Sequence, residues 1–358
     1  MIYNAVRAYR LSPVVSLVGA GARDDLGNVV AKLGRRAIVL GGHRALAVAE
    51  DAVSRIAEAG CRLAVREFRG ECTQDAIDAL AQAAVDAEVL VGVGGGKALD
   101  TAKAAAASRR IPCVTLPTSA ATCAAYTPLS ILHREDGSYV ESRRLSAAVA
   151  AMILDVELIG RGPSRLLAAG IVDALARALD TDLAARVAVP SATAALSLGA
   201  CRAFVDVLRE DADSALASRE TRPPAMERAI EACIVGAGLA GETGARFFGR
   251  SFSHAVAYAL SERVDPVEVL HGEAVGLGVL VHCALDAQAP LAYETVQGML
   301  SRWELPRTFS ALGVEASDEA GRTLARRTLD YLDREHAIPF EVDEASLLRA
   351  FLRVDATL

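Results

Sequence analysis

Residues 92–103 read Gly-Val-Gly-Gly-Gly-Lys-Ala-Leu-Asp-Thr-Ala-Lys, and this stretch decides the fold class because an apolar run, Ala87–Val93, feeds into it and an Ala-rich helical segment leaves it. Gly94, Gly95 and Gly96 have no Cβ, so the backbone can turn tightly and bring N–H groups against a phosphate. The helix that follows offers the same anion its positive end. Asp100 and Lys103 fall three apart on that helix and therefore share a face, suited to fixing the loop or a cofactor. A glycine turn after a strand also serves as a plain connection, so the rest of the chain must decide.

Outward from this loop, the first half alternates β-rich runs with helical ones. Val14–Val18, Arg36–Leu40, Arg62–Phe68, Val89–Val93 and Cys113–Leu116 read as strands, each followed by a glycine or proline turn. Asp24–Leu33, Ala45–Ala59 and Gln74–Ala84 read as helices, the last with Thr73 as N-cap. The alternation predicts an α/β domain, a parallel sheet with helices on both faces and ligands at the carboxyl ends of the strands. From about residue 161 Ala/Leu-rich segments with helical spacing take over, broken at Arg222-Pro223-Pro224, Asp265-Pro266 and Gly313. The expected division is a nucleotide-binding α/β domain over 1–160 and an all-α domain over 161–358.

Composition narrows the partners. A length of 358 residues with 52% hydrophobic residues supplies two cores, and a net charge of -7 offers no field to a nucleic-acid backbone. The seven cysteines are scattered, with no Cys-x-x-Cys pair, which argues for reduced thiols and against a cysteine-type zinc site. No signal-like segment and no run of ~18 apolar residues is found, so a soluble, cytoplasmic protein without nucleic-acid or membrane partners is expected.

Histidine is scarce. His254 lies on the helical segment Phe252–Leu260, His271 opens another helix after a proline-containing loop, and Asp173 begins Asp173-Ala174-Leu175-Ala176-Arg177. One carboxylate and two imidazoles make a three-ligand site for zinc or iron(II) with a position left open for a substrate oxygen. An imidazole on a helix equally serves as a packing residue or a helix-end cation, and the spacing alone does not choose.

The motifs together resemble the group III, metal-dependent alcohol dehydrogenases, in their glycerol-dehydrogenase-like branch. The resemblance is carried, in family order, by Gly70-Glu71-Cys72-Thr73, Gly94–Lys103, Pro117-Thr118-Ser119-Ala120-Ala121-Thr122, Gly170–Ala176, Ser253-His254-Ala255-Val256 and Leu270-His271-Gly272. Within the branch, Ala120–Ser130 looks most like the hydroxycarboxylate dehydrogenases, which reduce 2-oxo acids. The resemblance implies a Rossmann-like N-terminal domain, a helical C-terminal domain and an active site in the cleft between them. It implies that Asp173, His254 and His271 hold Zn2+ or Fe2+, and that Gly41, Gly94, Gly95, Gly96, Lys97, Asp100, Thr118, Ser119, Thr122 and Ser130 serve the cofactor.

Three departures bear on chemistry. Arg177 stands where four-ligand iron enzymes have a further His, which favours a zinc-like site and puts a positive charge one turn from Asp173. Cys123 stands where glycerol dehydrogenases have an Asp, so the pocket loses a negative charge and becomes more welcoming to an anion that Arg177 can grip. A solvated Arg177 and a packing Cys123 are the alternatives. Where relatives carry a second His to relay a proton, this chain offers Tyr258 or water. After the second strand, Gly41-Gly42-His43-Arg44 holds no carboxylate and two groups able to meet a 2′-phosphate, so NADP(H) is expected ahead of NAD(H). These readings combine into a reversible reductase of small 2-oxo acids, expected as a homo-oligomer. The alternatives are a glycerol-like polyol dehydrogenase, a sugar-phosphate cyclase and a silent nucleotide-binding protein. The second half has no lysine to grip a substrate phosphate, which speaks against the cyclase.

Overall fold

A computed structural model describes residues 11–187, 191–217, 224–244, 252–315, 318–332 and 338–356. Its strands are β1 (Val15–Gly19), β2 (Arg36–Gly42), β3 (Arg62–Phe68), β4 (Val89–Gly94), β5 (Cys113–Pro117), β6 (Leu129–His133), β7 (Tyr139–Arg144) and β8 (Ala151–Asp155). Six of them form a parallel sheet in the order β1-β8-β5-β4-β2-β3, and β6 pairs with β7 as a separate antiparallel hairpin. Successive side chains alternate between two cores. Val39, Val91 and Val93 face Leu26, Val30 and Ile56 on one side, while Ile38, Leu40 and Leu90 face Ile77, Leu80 and Ala105 on the other. All described strands precede Val156, and the elements that follow are helices.

The five expected strands are all present, and Thr73 caps its helix by accepting from the Ala76 N–H at 3.1 Å. Two features differ from expectation. The segment 45–59 is two helices, His43–Val48 and Glu50–Glu58, with a break at Ala49. The sheet also contains β8, which the alternation pattern does not announce: it is buried throughout and inserts between β1 and β5. A short run apolar on both faces has no period to distinguish it from a buried helix.

The glycine loop is shaped by its neighbours. Gly94 has φ of +143° and its carbonyl accepts from Thr118 N–H at 3.1 Å, joining the ends of β4 and β5. Asp100 and Lys103 fix a loop rather than a cofactor. The fully buried Lys103 ammonium donates to the carbonyls of Ala124 at 2.7 Å, Thr127 at 2.9 Å and Leu129, and pairs with Asp100 at 2.8 Å. Asp100 in turn accepts from Ile131 N–H at 2.9 Å. One cation thus replaces water for three carbonyls of the segment that carries Cys123.

The ligand-bearing helices meet through glycine. A Cβ on Gly170 would lie 1.8 Å from the Ala120 carbonyl oxygen, one on Gly272 2.0 Å from that of Ala169, and one on Gly278 2.1 Å from that of Ser253. The helix Ser164–Ala185 therefore touches the loop after β5, the helix His271–Leu285 touches the helix Ser164–Ala185, and the helix Phe252–Leu260 touches the helix His271–Leu285. Among the described residues no helix is long and apolar enough to cross a membrane.

Replacing Lys103 by Met keeps the stem's volume but strands Asp100 and three carbonyls, so unfolding free energy should fall by ~3–5 kcal/mol. Urea denaturation measures this, and a loss below ~1 kcal/mol would mean that the 124–131 segment does not depend on the ammonium.

Candidate active site

Asp173 stands on the helix Ser164–Ala185, His254 on the helix Phe252–Leu260 and His271 at the first position of the helix His271–Leu285. Their ligand atoms all lie within 4.8 Å of one another. Asp173 Oδ1 is 3.3 Å from His254 Nε2 and 3.5 Å from His271 Nε2, yet it is buried and accepts no hydrogen bond. A buried carboxylate oxygen facing two imidazole nitrogens without a hydrogen bond is the arrangement a divalent cation satisfies, and an N, N, O set suits zinc or iron(II).

Electrostatics agree with that reading. Burial alone would raise Asp173, but His254, His271 and Arg177 outweigh it and hold the carboxylate ionised below its ordinary range. His271, 39% exposed at the rim, is held down to about 4 by desolvation and by its cationic neighbours, so its ring is neutral and able to ligate. Burial would also lower His254, but Asp173 and Asp180 raise it above its ordinary value. Asp180 matters most here: its Oδ2 lies 3.0 Å from His254 Nδ1, which leaves Nε2 turned toward Asp173. Asp180 was not among the expected site residues. Its signal was its place two turns after Asp173, on the same helix face.

Arg177, Cys123 and Tyr258 gather around the same carboxylate. Arg177 feels the charges of Asp173 and Asp180, and pairs with no described carboxylate within 4.0 Å. Burial pushes the Cys123 thiol up to about 11, so it is uncharged at neutral pH. Tyr258 is stacked on Tyr139 with centroids 3.8 Å apart, and burial raises its hydroxyl far above the ordinary range.

The expected cofactor residues divide into two groups. Gly95 and Gly96 lie against the loop after β5: Cβ atoms there would be 3.5 Å from Ser119 Oγ and 3.3 Å from Thr122 Oγ1, so the glycines, Thr118, Ser119 and Thr122 form one cradle. Asp100 and Ser130 do not face it. Both are buried, with Ser130 Oγ donating to the Asp100 carbonyl at 3.1 Å, so they brace the cradle from behind. Lys97 is likewise engaged elsewhere, pairing with Glu71 and donating to the Pro266 carbonyl at 3.2 Å. Gly41 is a packing glycine, since a Cβ would come 2.8 Å from the Val93 carbonyl oxygen. His43 and Arg44 are exposed just beyond β2. The β2–β3 register sets Glu67 opposite Gly41, so a carboxylate from the next strand lies 3.7 Å from His43. That neighbour is invisible in the 41–44 segment itself.

The chain matches known proteins over most of its length. The model of the iron-containing alcohol dehydrogenases matches residues 13–156. A glycerol dehydrogenase of Pseudomonas putida is 34% identical over 314 residues, covering 85% of this chain and 84% of that one. The chain belongs to the iron-containing alcohol dehydrogenase family. Its relatives set it in the glycerol-dehydrogenase-like branch, and one of them, hydroxycarboxylate dehydrogenase A of Escherichia coli K12, is 32% identical over 295 residues, 81% of each chain. The crystal structure of a probable glycerol dehydrogenase from Sinorhizobium meliloti 1021 superposes with a TM-score of 0.85 at 28% identity over 98% of both chains. This family member is an oxidoreductase acting on CH–OH groups, with a nicotinamide cofactor and a divalent metal.

His271→Ala removes one of three donors and should weaken zinc binding at least ~100-fold, measured as metal retained after dialysis against a chelator. A variant that keeps one zinc per chain would remove His271 from the ligand set.

Proposed function

We propose that this family member is an NADP(H)-preferring reductase of small 2-oxo acids, running in reverse as a 2-hydroxy acid dehydrogenase. The observation that carries the reading is Arg177: a guanidinium beside Asp173 that no described carboxylate neutralises. Such a group suits a ligand carboxylate, which it can hold with two parallel N–H···O bonds. Cys123, uncharged, adds no repulsion to an entering anion. The relative named hydroxycarboxylate dehydrogenase A supports the same class.

Asp173, His254 and His271 would hold the metal, zinc by the softness of two imidazoles, and when bound it supplies a Lewis acid for the carbonyl oxygen. The nicotinamide supplies hydride. The chain's own residues do the positioning. Arg177 fixes the acid's orientation, which turns the keto carbon rather than the carboxylate carbon toward the hydride donor. Tyr258, held protonated, keeps an O–H available near Arg177 and Asp173, and its proton or that of a water serves the product oxygen. Asp180 keeps His254 in one tautomer throughout.

NADP(H) preference is supported by Arg44, exposed and without a described partner beyond β2. Glu67, the neighbouring carboxylate, is engaged by Arg69 at 2.9 Å and faces His43. A free guanidinium there favours a 2′-phosphate over a 2′-hydroxyl. The second reading is a polyol dehydrogenase, favoured by the glycerol dehydrogenase at 34% identity.

Arg177→Leu separates the two substrates. It should cut kcat/KM for a 2-oxo acid at least ~tenfold while sparing the matching uncharged aldehyde, since losing a charged hydrogen-bond partner costs roughly 1.5–3 kcal/mol. A parallel fall for both substrates, or no fall, would end the carboxylate-anchor reading and leave the polyol dehydrogenase. Arg44→Ala should weaken NADPH by ~10–100-fold and NADH far less, read by fluorescence titration of each cofactor. Equal losses would make Arg44 structural.

A further inference from the structure

We infer that His282 is a positioning residue for metal binding: from behind the ligands it steadies Asp180, and through Asp180 it keeps His254 Nε2 turned toward the site. The inference rests on the metal-site reading above and concerns a residue that touches neither metal nor substrate.

The groups form one line of alternating character from the site to the surface. His254 Nδ1 meets Asp180 Oδ2 at 3.0 Å. Asp180 Oδ1 accepts from the Ser253 N–H at 3.0 Å and lies 3.8 Å from His282 Nδ1. On the far side, His282 Nε2 is 3.4 Å from Asp286 Oδ2. Asp286 is then gripped by Arg186 at 2.8 and 3.1 Å, which also holds Asp182 at 2.6 Å and the Gln288 carbonyl at 2.7 Å.

His282 is fully buried, and neither ring nitrogen has a completed hydrogen bond. Its ring packs between Phe252 and Phe340, with centroids 5.5 and 6.3 Å away. Packing alone would ask for an apolar ring there, because burying imidazole nitrogens costs free energy that a phenyl ring avoids. What the nitrogens meet is two carboxylates, of unequal need. Asp286 already has Arg186 and the Gln288 N–H at 2.9 Å, whereas Asp180 Oδ1 has only the Ser253 N–H. An N–H on His282 Nδ1 is the remaining donor aimed at Asp180 among the described residues. A carboxylate flanked by the Ser253 N–H and by an imidazole donor 3.8 Å away has less room to swing from His254, and a ligand imidazole whose outer partner is fixed binds metal more tightly.

The test uses the full chain, with zinc affinity read by competition against a chromogenic chelator. The visible spectrum of the cobalt(II)-substituted protein reports ligand geometry, and melting temperature reports packing. His282→Phe keeps a ring and removes the N–H donor, while His282→Gln keeps a donor. The Phe variant should bind zinc ~10–100-fold more weakly and alter the cobalt spectrum, with the Gln variant near wild type and both melting close to it. Wild-type affinity in the Phe variant, or an equal loss in Phe and Gln, overturns the inference. If the Phe variant does not fold, His282→Met decides: it removes the donor while filling the site with a flexible apolar chain and should weaken zinc at least ~threefold, an unchanged affinity being the overturning result. A wild-type chain that takes up no zinc overturns the metal site itself, an outcome distinct from zinc bound equally by wild type and variants.

Discussion

Three backbone carbonyls, those of Ala120, Ala169 and Ser253, occupy the space in which Gly170, Gly272 and Gly278 would otherwise carry a side chain. This close approach is the constraint on which the site depends. Asp173, His254 and His271 come from three separate helices, and their donor atoms lie within 4.8 Å of one another, so the relative placement of those helices decides the site. The same contact at Ala120 ties the helix Ser164–Ala185 to the loop after β5, whose Ser119 and Thr122 lie against the glycine cradle. Metal donors and cofactor cradle are thus held in register by one chain of glycine contacts rather than by side-chain complementarity.

Charge at the site follows from what surrounds each group. The positive face of Arg177 and the two imidazoles keep a buried Asp173 ionised, while burial keeps Cys123 neutral. The result is a pocket with one anion committed to the donor set and one cation committed to nothing described. That imbalance is what a substrate carboxylate would correct, and it is set by a helix that spaces Asp173, Arg177 and Asp180 along one face. Asp180 turns inward toward His254, while Arg177 makes no ion pair with a described carboxylate.

The resemblance and the strand–helix alternation made most of the sheet legible, and the resemblance named the three residues that the structure brings within 4.8 Å of one another. Periodicity carries that information because side chains in strands and helices repeat at fixed intervals. β8 escaped because it is apolar on both faces, and the hairpin β6–β7 because it stands outside the strand–helix alternation. The resemblance assigns Asp100 and Ser130 to the cofactor. Their burial behind the glycine loop depends on Lys103 reaching across to the carbonyls of 124–129.

The sequence by itself determined the family, the parallel sheet, the glycine turn and the identities of Asp173, His254 and His271, since these rest on local pattern and ordered motifs. Only the tertiary structure decided which charges are paired. Glu67 reaches His43 through strand register, Glu71 takes Lys97, and Asp180 joins His254 to the buried line through His282 and Asp286. Most of these pairings link residues far apart in the chain, and electrostatic interactions depend on distance and desolvation in space, quantities that residue spacing does not contain.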